Sequence, residues 1–124
     1  MSEQSEGAEL NLKAAQAAVD ASIQALGGYW PPLANLARLF EECGELARAV
    51  NQRTGQKALK PGEAAASVAD ELGDVLYVTL VLANSLAVDA EAALLSVLEK
   101  ARRRAEVAAN LAAAIAEPLD PPVR

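Results

Sequence analysis

Apolar residues recur every three or four positions through most of this chain, and polar residues fill the gaps. Leu12, Ala15, Val19, Ile23 and Leu26 keep that spacing, which predicts a first helix from about Leu10 to Leu26, stopped by Gly27-Gly28. Tyr29-Trp30-Pro31-Pro32 connects to a second helix, from about Pro32 to Arg53, because proline is tolerated in a first turn. Its expected core face is Leu33, Leu36, Phe40, Cys43, Ala47 and Val50, with Cys43 as a core residue. Asn35, Arg38, Glu42 and Glu45 form a polar strip beside that face. A loop from Thr54 to about Gly62 carries Lys57 and Lys60, and a third helix is expected from about Glu63 to Leu86. The fourth helix runs from an Asp89 cap to about Ala116, ahead of Pro118.

The second half of the third helix, Val75 to Ala83, is apolar on nearly all sides, so it is expected to be buried on all sides. A bundle of four helices leaves part of each helix uncovered, and a partner subunit is the expected cover. The fold expected is therefore all-α, a four-helix bundle completed by oligomerisation. Residues 1–9 are read as a disordered N-terminal segment, 10–117 as one helical domain and 118–124 as a disordered tail.

Composition narrows the chemistry. The net charge of −6 argues against duplex nucleic acid as a partner. The absence of histidine excludes Ser-His-Asp and Cys-His nucleophile systems, and a single cysteine excludes an intrachain disulfide. The usual zinc sites and Glu-x-x-His di-iron sites are excluded as well. The N-terminus reads as polar and acidic without a signal peptide, and Val75 to Ala83 is too short to span a bilayer, so no membrane partner and a cytoplasmic location are expected.

Two segments share one pattern: Glu41-Glu42-Cys43-Gly44-Glu45 and Asp70-Glu71-Leu72-Gly73-Asp74. Residues three apart lie on one helical face, so Glu42 with Glu45, and Glu71 with Asp74, are carboxylate pairs. Like charges at that spacing destabilise a helix unless a cation offsets them. Oxygen donors suit magnesium, manganese or calcium; a phosphorylated substrate points to Mg2+, with Mn2+ as the alternative, because magnesium favours a few carboxylates plus substrate phosphates. Gly44 and Gly73 each cost about 1 kcal/mol relative to alanine, and close backbone approach would explain them. The competing reading is two solvated acidic faces. Lys100 and Arg104 share a face and are either phosphate contacts or solvated charge. Trp30 either stacks a base or staples two helices, and Asn84 is either structural or part of the site.

These residues resemble a known family, the MazG-like all-α nucleoside triphosphate pyrophosphohydrolases. Its Glu-Glu-x-x-Glu, spacer, Glu-x-x-Asp signature is matched by Glu41, Glu42, Glu45, Glu71 and Asp74. Gly28 to Leu33, Ala37 to Leu39, Glu45 to Asn51, Glu71 to Tyr77 and Leu82 to Leu86 look like its small single-domain branch. The resemblance implies Glu42, Glu45, Glu71 and Asp74 as magnesium ligands. It implies that Glu41 orients or activates the attacking water or binds a further ion, so Glu41 and Glu42 are the catalytic candidates. Lys100 and Arg104 would meet phosphates, with Arg38, Trp30 and Asn84 as further nucleotide contacts. The implied reaction converts a nucleoside triphosphate to its monophosphate and pyrophosphate, removing unwanted nucleotides, in a homodimer or homotetramer. This chain departs from the branch at Ala105, where an acid is frequent, and in its alanine-rich extension. The alternative is a non-catalytic metal- or nucleotide-binding oligomeric module.

Overall fold

A computed structural model of the chain describes residues 9–117, so the segments 1–9 and 118–124, expected to be disordered, lie almost wholly outside the described residues. The described chain is all-α: α1 (Leu12–Ala25), α2 (Pro32–Arg53), α3 (Val68–Ser85) and α4 (Ala90–Ala116). It divides into two compact units. The first runs to Ala90 and holds α1 to α3; the second begins at Glu91 and is α4.

In the first unit α3 packs against both α1 and α2. Val19, Ile23 and Val81 form a small core between α1 and α3, bordered by Tyr29, Tyr77 and Leu80. Ala49 on α2 and Val78 on α3 are fully buried. Polar bonds also join α1 to α3. The Asn84 amide donates to the Gln16 carbonyl and accepts from the Gln16 side chain, at 2.9 and 3.0 Å. Gln16 bonds in turn to Val88 and Ala90, and Ser22 pairs with Tyr77. In α4, Arg102 pairs with Glu99 and Glu106 and Arg103 with Glu99, all at one-turn spacing.

The rotation of α2 differs from the sequence expectation. Its buried side carries Asn35 and Ala49, with Glu42, Leu46 and Gln52 partly covered. Leu33 and Phe40 are 77% and 70% exposed, and Cys43 is exposed rather than core. The reason is that α2 meets α3 along the strip that contains the acids, where Ala49 permits close approach. A second correction concerns Gly44 and Gly73. A Cβ added at either would meet nothing within 4 Å, so no close backbone approach explains them.

The third helix begins at Val68, five residues later than expected. The Ser67 hydroxyl caps it by accepting from the Asp70 N–H at 3.2 Å. Glu63 is instead used as a strap on the preceding loop. Its carboxylate accepts from the Lys60 N–H at 2.9 Å and pairs with Arg48 and Gln52 of α2. Gln52 also accepts from the Ala66 N–H. The Lys60 N–H, then the Arg48 guanidinium, hold the Glu63 carboxyl below its ordinary value of 4.5. A depressed carboxylate stabilises above its unfolded value and loses that contribution as pH falls through the folded one. The Lys60 and Ala66 amides should therefore be protected from hydrogen exchange near neutral pH and lose that protection in acid below the ordinary glutamate range. Protection that is unchanged across that range would show that Glu63 does not hold the loop.

Three helices end in one motif. After α1, Gly28 N–H bonds to Ile23 and Gly27 N–H to Gln24; after α2, Gln56 bonds to Asn51 and Gly55 to Gln52; after α3, Val88 bonds to Ala83 and Ala87 to Asn84. The residue in the left-handed region is glycine in the first two and Ala87, with φ 54, in the third. A Cβ is disfavoured there. Ala87→Gly should stabilise the fold by about 1 kcal/mol, a Tm rise of a few degrees by thermal unfolding. A lower Tm would show that the alanine methyl is worth more than the strain.

Candidate metal and nucleotide site

The acids come together because α2 presents Glu42 to α3 while the Ser67 cap starts α3 one turn before Glu71 and two turns before Asp74. One carboxylate oxygen from each of Glu42, Glu71 and Asp74 lies within 4.8 Å of the other two. Glu42 and Glu71 are half-buried and Asp74 is exposed. Burial raises the Glu71 carboxyl above its ordinary value, and the charges of Asp74, Glu45, Glu42 and Asp70 raise it further. Glu45 therefore acts on this cluster electrostatically, although it is not one of the three convergent residues. Glu41 is exposed and lies outside the trio as well.

The donors are all carboxylate oxygens, the set preferred by hard divalent cations. Beyond burial, the carboxylates of Asp74, Glu45, Glu42 and Asp70 all act on Glu71 in the same direction. Among the described residues Arg38 forms an ion pair at these acids, with its Nε 3.9 Å from a Glu42 oxygen. The residues thus fit a divalent cation on both chemistry and charge.

The other candidates separate into groups. The Arg38 guanidinium also lies over the Trp30 ring, 5.8 Å from its centroid, so it links the acids to the connector before α2. Trp30 is 59% exposed, and its carbonyl accepts from the Asn35 amide at 3.1 Å. Asn84 uses both ends of its amide to hold α1 on α3. Lys100 and Arg104 are carried by α4, in the second unit. Sequence reasoning passed over Asn35 as a site residue. It appeared only as one member of the polar strip, yet it is 2% exposed and lines a cavity of about 100 Å³ with Gly28, Tyr29, Trp30 and Arg38. Its proximity to Trp30 and the acidic strip was the available signal.

An all-helical unit in which two packed helices bring three carboxylates together belongs to a class of helical proteins whose oxygen donors could hold a divalent cation. The particular family follows from comparison with known proteins. Residues 31–108 match the MazG nucleotide pyrophosphohydrolase domain, and the chain belongs to that family. It is 49% identical over 94 residues to the uncharacterised Bacillus subtilis protein YpjD, covering 75% of this chain and 85% of that one. The solved structure of Bacillus subtilis YPJD aligns with a TM-score of 0.66 at 47% identity, covering 74% of this chain and 95% of that one. A solved Bacillus-conserved MazG protein, described as a nucleotide pyrophosphohydrolase, aligns at 0.63 and 44% identity, over 75% and 90% of the two chains. All five acids of the signature fall inside the matched segment.

Removing one charge from the cluster should separate fold stability from ion binding. In metal-free buffer Glu71→Gln should melt at a higher temperature than the native chain, because repulsion and burial both oppose its ionised form. Mg2+ should raise the native Tm and raise that of the variant by less. A variant that is less stable without metal would contradict the repulsive cluster.

Proposed function

We propose that this chain is a metal-dependent hydrolase of nucleoside triphosphates that releases a nucleoside monophosphate and pyrophosphate. The observation that carries the reading is the convergence of Glu42, Glu71 and Asp74 at the family's signature positions. Glu42, Glu45, Glu71 and Asp74 would hold Mg2+, with Mn2+ as the alternative. When bound, the cation supplies positive charge to the phosphate oxygens and favours in-line displacement at phosphorus.

The chain's own residues supply the rest of the reaction. Glu41, beside the ligand Glu42, orients the attacking water and takes its proton. The water oxygen forms a bond to the α-phosphorus, the bond to the oxygen bridging to the β-phosphate breaks, and pyrophosphate leaves with that oxygen. Arg38 lies between Trp30 and Glu42, a position from which it can guide the phosphates toward the acids. Lys100 and Arg104 are proposed, on the family resemblance, to meet phosphates. Asn84 acts by holding α1 on α3 rather than by touching substrate.

A second copy of the chain is proposed to cover the exposed apolar residues Leu33, Phe40, Leu72 and Leu76, in a homodimer or homotetramer. No single helix among the described residues is long and apolar enough to cross a membrane, and action on the cytoplasmic nucleotide pool is the proposed role.

Pyrophosphate release from ribo- and deoxynucleoside triphosphates tests the reading, with Mg2+ and with EDTA. Release should require the metal, and Asp74→Ala should lose it by about a hundredfold or more. A folded chain that binds Mg2+ and releases no pyrophosphate from any nucleotide would instead be a non-catalytic binding module.

A further inference from the structure

Asn35 is the one buried polar residue in the described core, at 2% exposure. Its Nδ2 donates to the Trp30 carbonyl at 3.1 Å. A carbonyl oxygen can only accept, so the nitrogen must be the end of the amide turned toward Trp30. The orientation of Asn35 is therefore set by chemistry, and Oδ1 is held on the opposite side. Among the described residues no side chain or backbone N–H donates to Oδ1. No sealed side-chain oxygen or nitrogen there lacks a partner, so Oδ1 is not sealed, and the cavity that Asn35 lines is the opening beside it. An acceptor with no donor, on a side chain that cannot turn away, is built to receive an N–H from outside the chain.

The cavity limits what can bring that N–H. Its volume is about 100 Å³, and its walls include Ile23, Gly28, Tyr29, Trp30 and Val81. An engineered cavity of roughly 150 Å³ takes up benzene, so this smaller one admits at most part of a single ring, with the rest in its opening. Its lining combines the aromatic residues Tyr29 and Trp30, the aliphatic Ile23, Leu26 and Val81, and the polar Asn35 and Arg38. Arg38 also marks the way out, since it lines the cavity and reaches Glu42. Asn35 and Glu42 are seven residues apart on one helix, about 10 Å along its axis, a gap suited to a sugar between a ring and an α-phosphate.

We propose that Asn35 is a specificity-determining residue: its Oδ1 accepts a hydrogen bond from a pyrimidine base seated in the Trp30 cavity, so the preferred substrates are pyrimidine nucleotides. The donor is N3–H of uracil or thymine, or the exocyclic amino group of cytosine. Purines also carry N–H donors, but a two-ring base demands more room than a one-ring base, and so small a cavity favours the latter. The inference rests on the nucleotide reading above and narrows it to one substrate class.

Trp30 is the chain's single tryptophan, so its fluorescence reads this cavity directly. The full chain is titrated, without metal, with dUMP, dCMP, dAMP and dGMP. The pyrimidine nucleotides should perturb the emission at concentrations about tenfold lower than the purines. Asn35→Leu, which keeps the branching of the side chain and lacks the acceptor, should weaken pyrimidine binding about tenfold or more. Pyrophosphate release with Mg2+ should show the same order in kcat/KM. The native purine-to-pyrimidine ratio needs no variant, so a substitution that unfolds the chain leaves the test intact. Equal response to all four monophosphates, or a preference unchanged in Asn35→Leu, overturns the inference. Equal hydrolysis of purine and pyrimidine triphosphates overturns it while the hydrolase reading stands. Pyrimidine-selective binding with no hydrolysis of any triphosphate overturns the hydrolase reading and leaves the inference in place.

Discussion

Repulsion among Glu42, Glu71 and Asp74 is the constraint that the first unit is built to overcome. Three carboxylate oxygens within 4.8 Å of one another would separate if the helices were free to move. The packing of α3 on both of its neighbours prevents that, with Ala49 and Val78 shut off from water on the two helices concerned. Polar bonds on the far side of α3 add to the restraint, through Asn84 and Gln16 and through Tyr77 and Ser22. The apolar core is small, so the energy spent in crowding the acids is a sizeable share of what the core provides. A bound cation would return that energy, which couples ion binding to the stability of the fold.

The helical pattern and the acidic pairs were legible because both depend on residues three and four apart, a spacing fixed by the helix itself. What periodicity does not settle is which side of a helix meets its neighbour. On α2 two strips compete, and the more apolar one, with Leu33, Phe40 and Cys43, looks like the core by composition. The structure instead turns Asn35, Glu42 and Ala49 inward, at seven-residue intervals. A small residue there lets α3 approach, and only that rotation brings the acids of the two helices together. The start of α3 was misplaced for a local reason. Glu63 to Ala66 has helical composition, but the Glu63 carboxylate bonds to Lys60 and Arg48, and Ser67 supplies the cap. Ser67-Val-Ala-Asp70 is a capping signal that outranks the propensity of the alanines before it.

Of the residues proposed to meet a nucleotide, Arg38 has the most central position. It contacts an aromatic ring on one side and a carboxylate of the cluster on the other. A residue tied to both ends carries information between them, because a ligand that draws the guanidinium toward phosphate also changes what lies above Trp30. In the proposed reading the acidic end and the ring end would form one continuous site along α2, joined by Arg38.

The hydrogen bonds of Gln16 also bear on the order in which the chain assembles. They join positions separated by 68, 72 and 74 residues, whereas α2 and α3 are neighbours in sequence across one strapped loop. Closing a long loop costs more chain entropy than closing a short one. Pairing of α2 with α3 is therefore the less costly closure and docking of α1 the more costly one. If the chain assembles in that order, the acids crowd together before the latch closes, and a divalent cation bound during synthesis would act as a folding template.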